Sequence, residues 1–172
     1  MTQPKQKPGR SIQNYATPAV FLEPVKRRLG IEAFTHDFAA DPFNSKASSY
    51  WTKQDDSLAQ SSERWATRCH GGWGWLNPPF AKIGPWARKC WETKQLGGSI
   101  ALLVPAGVGS NWFRDFVHGK AFVLALNGRI PFDPANPTWG YPKDCILALY
   151  GAPYVVGFDV WTWGLQTKRN AA

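Results

Sequence analysis

Residues 74–80 read Gly74-Trp75-Leu76-Asn77-Pro78-Pro79-Phe80, a short apolar run followed by an amide, two prolines and an aromatic ring. Proline lacks an N–H and fixes φ, so two in succession impose a rigid, extended backbone that joins neither helix nor ladder. The carbonyls around such a segment are therefore available to something else. Asn77 offers an amide oxygen, the Pro78 carbonyl a second acceptor, and Phe80 a flat face. Two rigid acceptors beside a ring suit the exocyclic amino group of a planar base. That amine is a poor nucleophile, because its lone pair is delocalised into the ring. Accepting hydrogen bonds from both of its N–H groups favours the more tetrahedral nitrogen that attacks an electrophile. A sulfonium methyl, brought by a cofactor, is the natural electrophile, and no side-chain base is strictly needed. The protein's share is orientation and matched electrostatics. Taken alone, the tetrapeptide reads equally well as a stiff surface loop.

What positions it is a strand. Gly74–Leu76 leads into the Pro-Pro turn, and ligands of open α/β sheets bind beyond the carboxyl ends of strands. The spacing predicts a helix from Ala19 to about Leu29 that stops at Gly30, with Thr17 as its cap and Pro18 in its first turn. A short strand is expected over 33–37, then the small-residue turn Asp37-Phe38-Ala39-Ala40-Asp41-Pro42. Residues 44–60 are polar and poorly periodic, a loop with one short helix. Further on, helices are expected over 85–94, where Trp86, Cys90 and Lys94 recur at i, i+4, and over 110–117. Strands are expected over 99–105, 121–126 and 144–150, with a turn at Asn127-Gly128 and an edge strand within 155–165. Continuous apolar strands alternating with helices predict an α/β sandwich, a mainly parallel central sheet flanked by helices.

Bulk properties narrow the partners. The 172 residues carry a formal charge of +8, and removing the tail cations Lys5, Lys7, Arg10, Lys168 and Arg169 still leaves a basic body. Nucleic acid is the partner such a surface favours. Ten tryptophans either fill an aromatic core or hold flat ligands; most are assigned to the core. Cys69, Cys90 and Cys145 are scattered, as are His36, His70 and His118, so no metal site is expected. An odd cysteine count without a signal sequence fits a cytosolic setting, and no apolar stretch is long enough to cross a bilayer. Residues 1–13 are expected to be a disordered basic tail, 14–165 one domain, and 166–172 a closing tail.

The landmarks Tyr15-Ala16-Thr17-Pro18, 34–41 (Phe-Thr-His-Asp-Phe-Ala-Ala-Asp), Trp75-Leu76-Asn77-Pro78-Pro79-Phe80, Leu102-Leu103-Val104-Pro105 and Gly128-Arg129-Ile130-Pro131-Phe132 occur in one order over roughly residues 14 to 150. Together they resemble the small phage-type DNA N6-adenine methyltransferases of the Dam group, whose amino-group signature is Asn/Asp/Ser-Pro-Pro-Tyr/Phe/Trp. The resemblance implies a Rossmann-like methyltransferase sandwich, S-adenosylmethionine as cofactor, double-stranded DNA as partner and the cytoplasm of a bacterial host as setting. It also implies roles. Asn77, Pro78 and Phe80 would hold the target adenine while Pro79 shapes the turn. Tyr15, Thr17 and Pro18 would match the motif that touches the methionine part of the cofactor. Asp37, Ala39, Ala40 and Asn77 would complete the cofactor site. The Phe-x-Gly-x-Gly loop of larger methyltransferases is absent, with Ala39-Ala40-Asp41 in its place.

Each assignment has a plainer counterpart. Thr17-Pro18 is equally a helix start, Asp37 equally a turn cap, and Lys82 and Arg129 are either phosphate contacts or solvated charges. Spacing does not choose between Asp55 and Asp56 as a further polar contact. The same signature serves cytosine N4, RNA bases and protein glutamine; the positive charge disfavours the last. A non-catalytic nucleic-acid-binding module with a vestigial pocket is the rival from another class.

Overall fold

The computed structural model describes residues 16–132 and 140–164. Tyr15 and both expected tails lie outside them. Helix α1 spans Ala19–Leu29 and ends at Gly30, whose φ of 68° is the left-handed conformation that closes a helix without a Cβ clash. The helix does not start as expected: its N-cap is Pro18, whose carbonyl accepts from the N–H groups of Phe21 and Leu22, and no side chain caps it. Thr17 instead turns its hydroxyl towards Asn77. Phe21, Leu22 and Val25 form the buried stripe, and Lys26, Arg27 and Arg28 complement the helix dipole in the last turn.

Strand β1 is only His36–Asp37, shorter than the expected 33–37. The chain bends away at once because the Asp37 carboxylate takes the N–H of Ala39 and, across the loop, that of Lys46. The polar stretch after it holds two 3₁₀ turns, Lys53–Asp55 and Ser57–Ala59. Helix α2, Ser62–Arg68, follows; it was not anticipated, although Ser61 caps it by accepting from Arg64 N–H. Strand β2, Trp73–Leu76, is wholly buried and leads into α3, Ile83–Gln95. Then come β3 (Ser99–Pro105), α4 (Asn111–Phe116), β4 (Phe122–Asn127), β5 (Cys145–Tyr150) and β6 (Gly157–Thr162).

These strands make one sheet in the order β1-β2-β3-β5-β4-β6. The β1–β2, β2–β3 and β4–β6 pairs are parallel, and β5 runs antiparallel to both of its neighbours. β6 takes the edge position expected of the carboxyl-terminal aromatic segment. Alternation along β3 explains the layers. Ile100, Leu102 and Val104 face a core shared with Trp65, Ala87, Cys90 and Phe113 of the helices α2 to α4. Ala101 and Leu103 face the opposite core, where α1 supplies Phe21, Leu22 and Val25. With both faces covered, β3 and β5 read as continuous apolar runs rather than alternating ones. Trp51, Trp65, Trp73 and Trp75 are buried in these cores. Five further tryptophans, 86, 91, 112, 161 and 163, are half-buried against them. Among the described residues no helix is long and apolar enough to cross a membrane.

Candidate active site

Asn77 leaves the carboxyl end of β2, between β1 and β3, where Pro78 withdraws the donor that a longer strand would need. Its Nδ2 donates to the Thr17 hydroxyl at 3.0 Å, across sixty residues of sequence. Thr17 is itself buried, so the contact fixes the orientation of the amide and leaves Oδ1 as its acceptor atom. Pro78 is buried, Pro79 exposed, and Asn77 and Phe80 half-buried. The first and third landmarks of the sequence therefore converge on one point.

Beside Asn77 opens a cleft of about 540 Å³, within the range that holds small ligands and cofactors. Ala16, Ala39 and Ala40 give it a wall of small side chains, and Trp86 contributes an indole. Asp41, Asn44 and Asp56 add polar groups to the lining. The donor set fits S-adenosylmethionine: small walls that let backbone approach, aromatic surface for a base, and carboxylates for hydroxyls and a positive sulfonium.

Asp37 is not in the lining of this cleft but closes the loop that supplies Ala39 and Ala40 to it. It is buried, and its oxygens accept from Ala39 N–H at 3.2 Å and Lys46 N–H at 2.9 Å. Burial raises its carboxyl above the usual range, and the two N–H groups pull it part of the way back. That is the geometry of a turn cap whose product, the Ala39-Ala40 backbone, lines the cleft. His36 is likewise structural. Its Nδ1 lies 2.8 Å from the Ser49 hydroxyl, and its ring sits edge-on to Phe38 and Trp51. Burial, with Arg68 assisting, pushes its pKa down to about 4.

Neighbouring aspartates, inseparable by spacing, part company here. Asp55 bends back onto Thr52, accepting from its N–H at 2.7 Å and its hydroxyl at 2.8 Å, and these bonds hold its carboxyl below the usual range. Asp56 lines the cleft with φ 45° and ψ 73°, the one non-glycine residue at positive φ among those described. Such a conformation costs roughly 1–2 kcal/mol and persists only where its surroundings hold it. Ser57 holds it: its hydroxyl donates to Phe38 O at 2.5 Å while its carbonyl accepts from Trp65 Nε1 at 2.9 Å. Phe38 and Trp65 are stacked at 4.0 Å, so the turn is fastened to the core on both sides.

Phe80 meets Tyr141 at 5.6 Å and Phe132 at 6.3 Å between ring centroids, both edge-on. The two basic residues expected at phosphates differ in setting. Lys82 is exposed at the N-cap of α3. Arg129 is engaged with the Asp144 carboxylate at 3.1 Å and the Tyr141 carbonyl at 3.2 Å.

A mainly parallel sheet with one reversed strand, helices on both faces and a cleft at a strand's carboxyl end defines a Rossmann-like methyltransferase fold. The family model described as DNA N-6-adenine-methyltransferase (Dam) matches residues 6–144, and the chain belongs to that family of DNA adenine N6-methylating enzymes. Among curated proteins, none matches the chain.

Proposed function

We propose that the chain transfers a methyl group from S-adenosylmethionine to N6 of an adenine rotated out of double-stranded DNA. The observation that carries this reading is the Asn77–Thr17 hydrogen bond. It ties a rigid amide to the rim of a cofactor-sized cleft.

S-adenosylmethionine, when bound, supplies an electrophilic methyl group. Ala39, Ala40 and Asn77, already in the cleft lining, would hold it with Asp56, while Thr17 and Pro18 would support the rim near Ala16. Asp37 would act through the loop that it closes. The chain's own work is then positional. Asn77 Oδ1 and the Pro78 carbonyl accept the two hydrogens of the adenine amine and favour the geometry in which its lone pair is available. The new N–C bond would form as the sulfonium's S–C bond breaks, leaving a neutral thioether, and the amine nitrogen, made positive, would lose one of its protons to water. Phe80 offers a stacking face that offsets part of the few kcal/mol needed to unstack the base. Lys82 would meet the phosphate backbone, with the basic surface giving sequence-independent affinity.

Incubation of the protein with labelled S-adenosylmethionine and unmodified DNA, followed by nucleoside analysis, is the test. N6-methyl-2′-deoxyadenosine is the expected product. Label in N4-methylcytosine would redirect the reading to another amine. A protein that gives no saturable heat with S-adenosylmethionine would be a binding module.

A further inference from the structure

The segment between β4 and β5 returns on itself beside Phe80. Ile130 O accepts from both Phe132 N–H, at 3.1 Å, and Tyr141 N–H, at 2.8 Å. Gly140 lies so close to Arg129 that a Cβ there would stand 2.0 Å from the arginine Cβ and 3.2 Å from its Cα. Only glycine allows that approach. The Arg129 guanidinium then spans the pinch, donating to the Tyr141 carbonyl and pairing with Asp144. Two hydrogen bonds, one to Ile130 O and one from Arg129, thus fix the Tyr141 backbone beyond the exit of β4, and the Gly140 approach and the Asp144 pair hold Arg129 in place. From there its ring meets Phe80 at 63° and Phe132 at 87°, each with 5.6 Å between centroids, while Phe132 meets Phe80 at 69°. The three rings are mutually edge-on, so the plane of Phe80 is set by two neighbours rather than left to rotate on the Pro-Pro turn.

We infer that Tyr141, clamped by Arg129, is a positioning residue that fixes the stacking plane of Phe80, and that Arg129 serves this clamp rather than a DNA phosphate. The inference rests on the methyltransferase reading above. A flat base is held productively only when the ring beneath it has a fixed tilt, and small misplacements cost rate steeply. The Arg129–Asp144 pair is exposed to solvent, so it adds little to stability. Its loss can therefore be read in function without unfolding the protein.

The test uses the full chain. Tyr141→Ala is expected to lower kcat on the order of tenfold with unchanged S-adenosylmethionine affinity, and Tyr141→Phe to restore it. Arg129→Ala is expected to lower kcat several-fold at an unchanged melting temperature. Arg129→Lys should not rescue, because one ammonium cannot span both the carbonyl and the carboxylate. The slope of log Kd for duplex DNA against log salt should be the same in Arg129→Ala as in wild type. A slope shallower by about one, with KM raised and kcat intact, would make Arg129 a phosphate contact and overturn the clamp. Full kcat in Tyr141→Ala would overturn the ring assignment; if that variant is unfolded, Tyr141→Leu, which keeps volume without a ring, decides it. A wild type that binds DNA but transfers nothing would sink the methyltransferase reading instead. The clamp would then stand or fall on the salt slope, and on whether Tyr141→Ala weakens single-strand binding as much as Phe80→Ala.

Discussion

Asn77 and Thr17, one at the end of β2 and the other at the mouth of α1, share a 3.0 Å hydrogen bond in which the buried threonine hydroxyl accepts from the amide. Thr17→Val keeps the shape and removes the acceptor. It should cost about 1–3 kcal/mol of stability and lower kcat, while Thr17→Ser keeps both near wild type. Urea melts beside initial rates check this; an inert Thr17→Val would mean the contact orients nothing.

Removing the amide itself is more severe. Asn77→Ala should lose roughly 2–4 kcal/mol of transition-state stabilisation, by analogy with donors that stabilise developing charge, while S-adenosylmethionine affinity stays within a few-fold. Undiminished turnover would contradict the role given to Asn77.

The two aspartates give a crossed pair. Asp56→Gly relieves a left-handed backbone and should hold or raise the melting temperature, yet weaken S-adenosylmethionine by tenfold or more, about 1.4 kcal/mol. Asp55→Ala should do the reverse, losing the cap on Thr52 with cofactor affinity intact. Calorimetry and thermal melts of both proteins settle which carboxylate faces the cofactor.

Phe80→Tyr should keep much of the activity, and Phe80→Ala should lose roughly 1–3 kcal/mol of base binding. The loss should shrink when the target adenine stands opposite a mismatch, where less unstacking has to be offset. A loss independent of the duplex, accompanied by a lowered melting temperature, would assign Phe80 to the core instead.

His36 makes stability depend on pH. Its folded pKa of about 4 lies below the ordinary 6.5, so between those values the unfolded chain binds the extra proton. Stability from this group is complete above pH 6.5 and declines as pH falls towards 4. Urea midpoints measured across that window should drop for wild type and stay flatter for His36→Gln; equal slopes would remove the histidine from the explanation.

Much of this was readable in the chain because the deciding signals were local. Ser99–Pro105 declares a buried strand by composition, and Gly30 declares a helix end by its backbone freedom. The Asn77–Phe80 turn announces two rigid acceptors through chain geometry alone. Other features depend on what the fold brings near. Thr17 looked like a cap, but the acceptor that the amide needed came from sixty residues away. Asp55 and Asp56 differ only because Thr52 captures one of them. Arg129 reads in sequence as a phosphate contact or a solvated charge, since neither Gly140 nor Asp144 signals its approach there. Helix α2 did carry a signal, Ser61 with Glu63 in the first turn, but seven polar-rich residues gave little periodicity to support it.

The reversal of β5 has a bearing on how such an enzyme can diversify. Because β5 runs against β4, the connection between them begins and ends on one rim of the sheet, with its two ends fastened side by side. Lengthening that connection costs little closure entropy and disturbs no strand register. It is thus an exchangeable cassette: sequence inserted between Phe132 and Gly140 leaves the turn after β2 untouched.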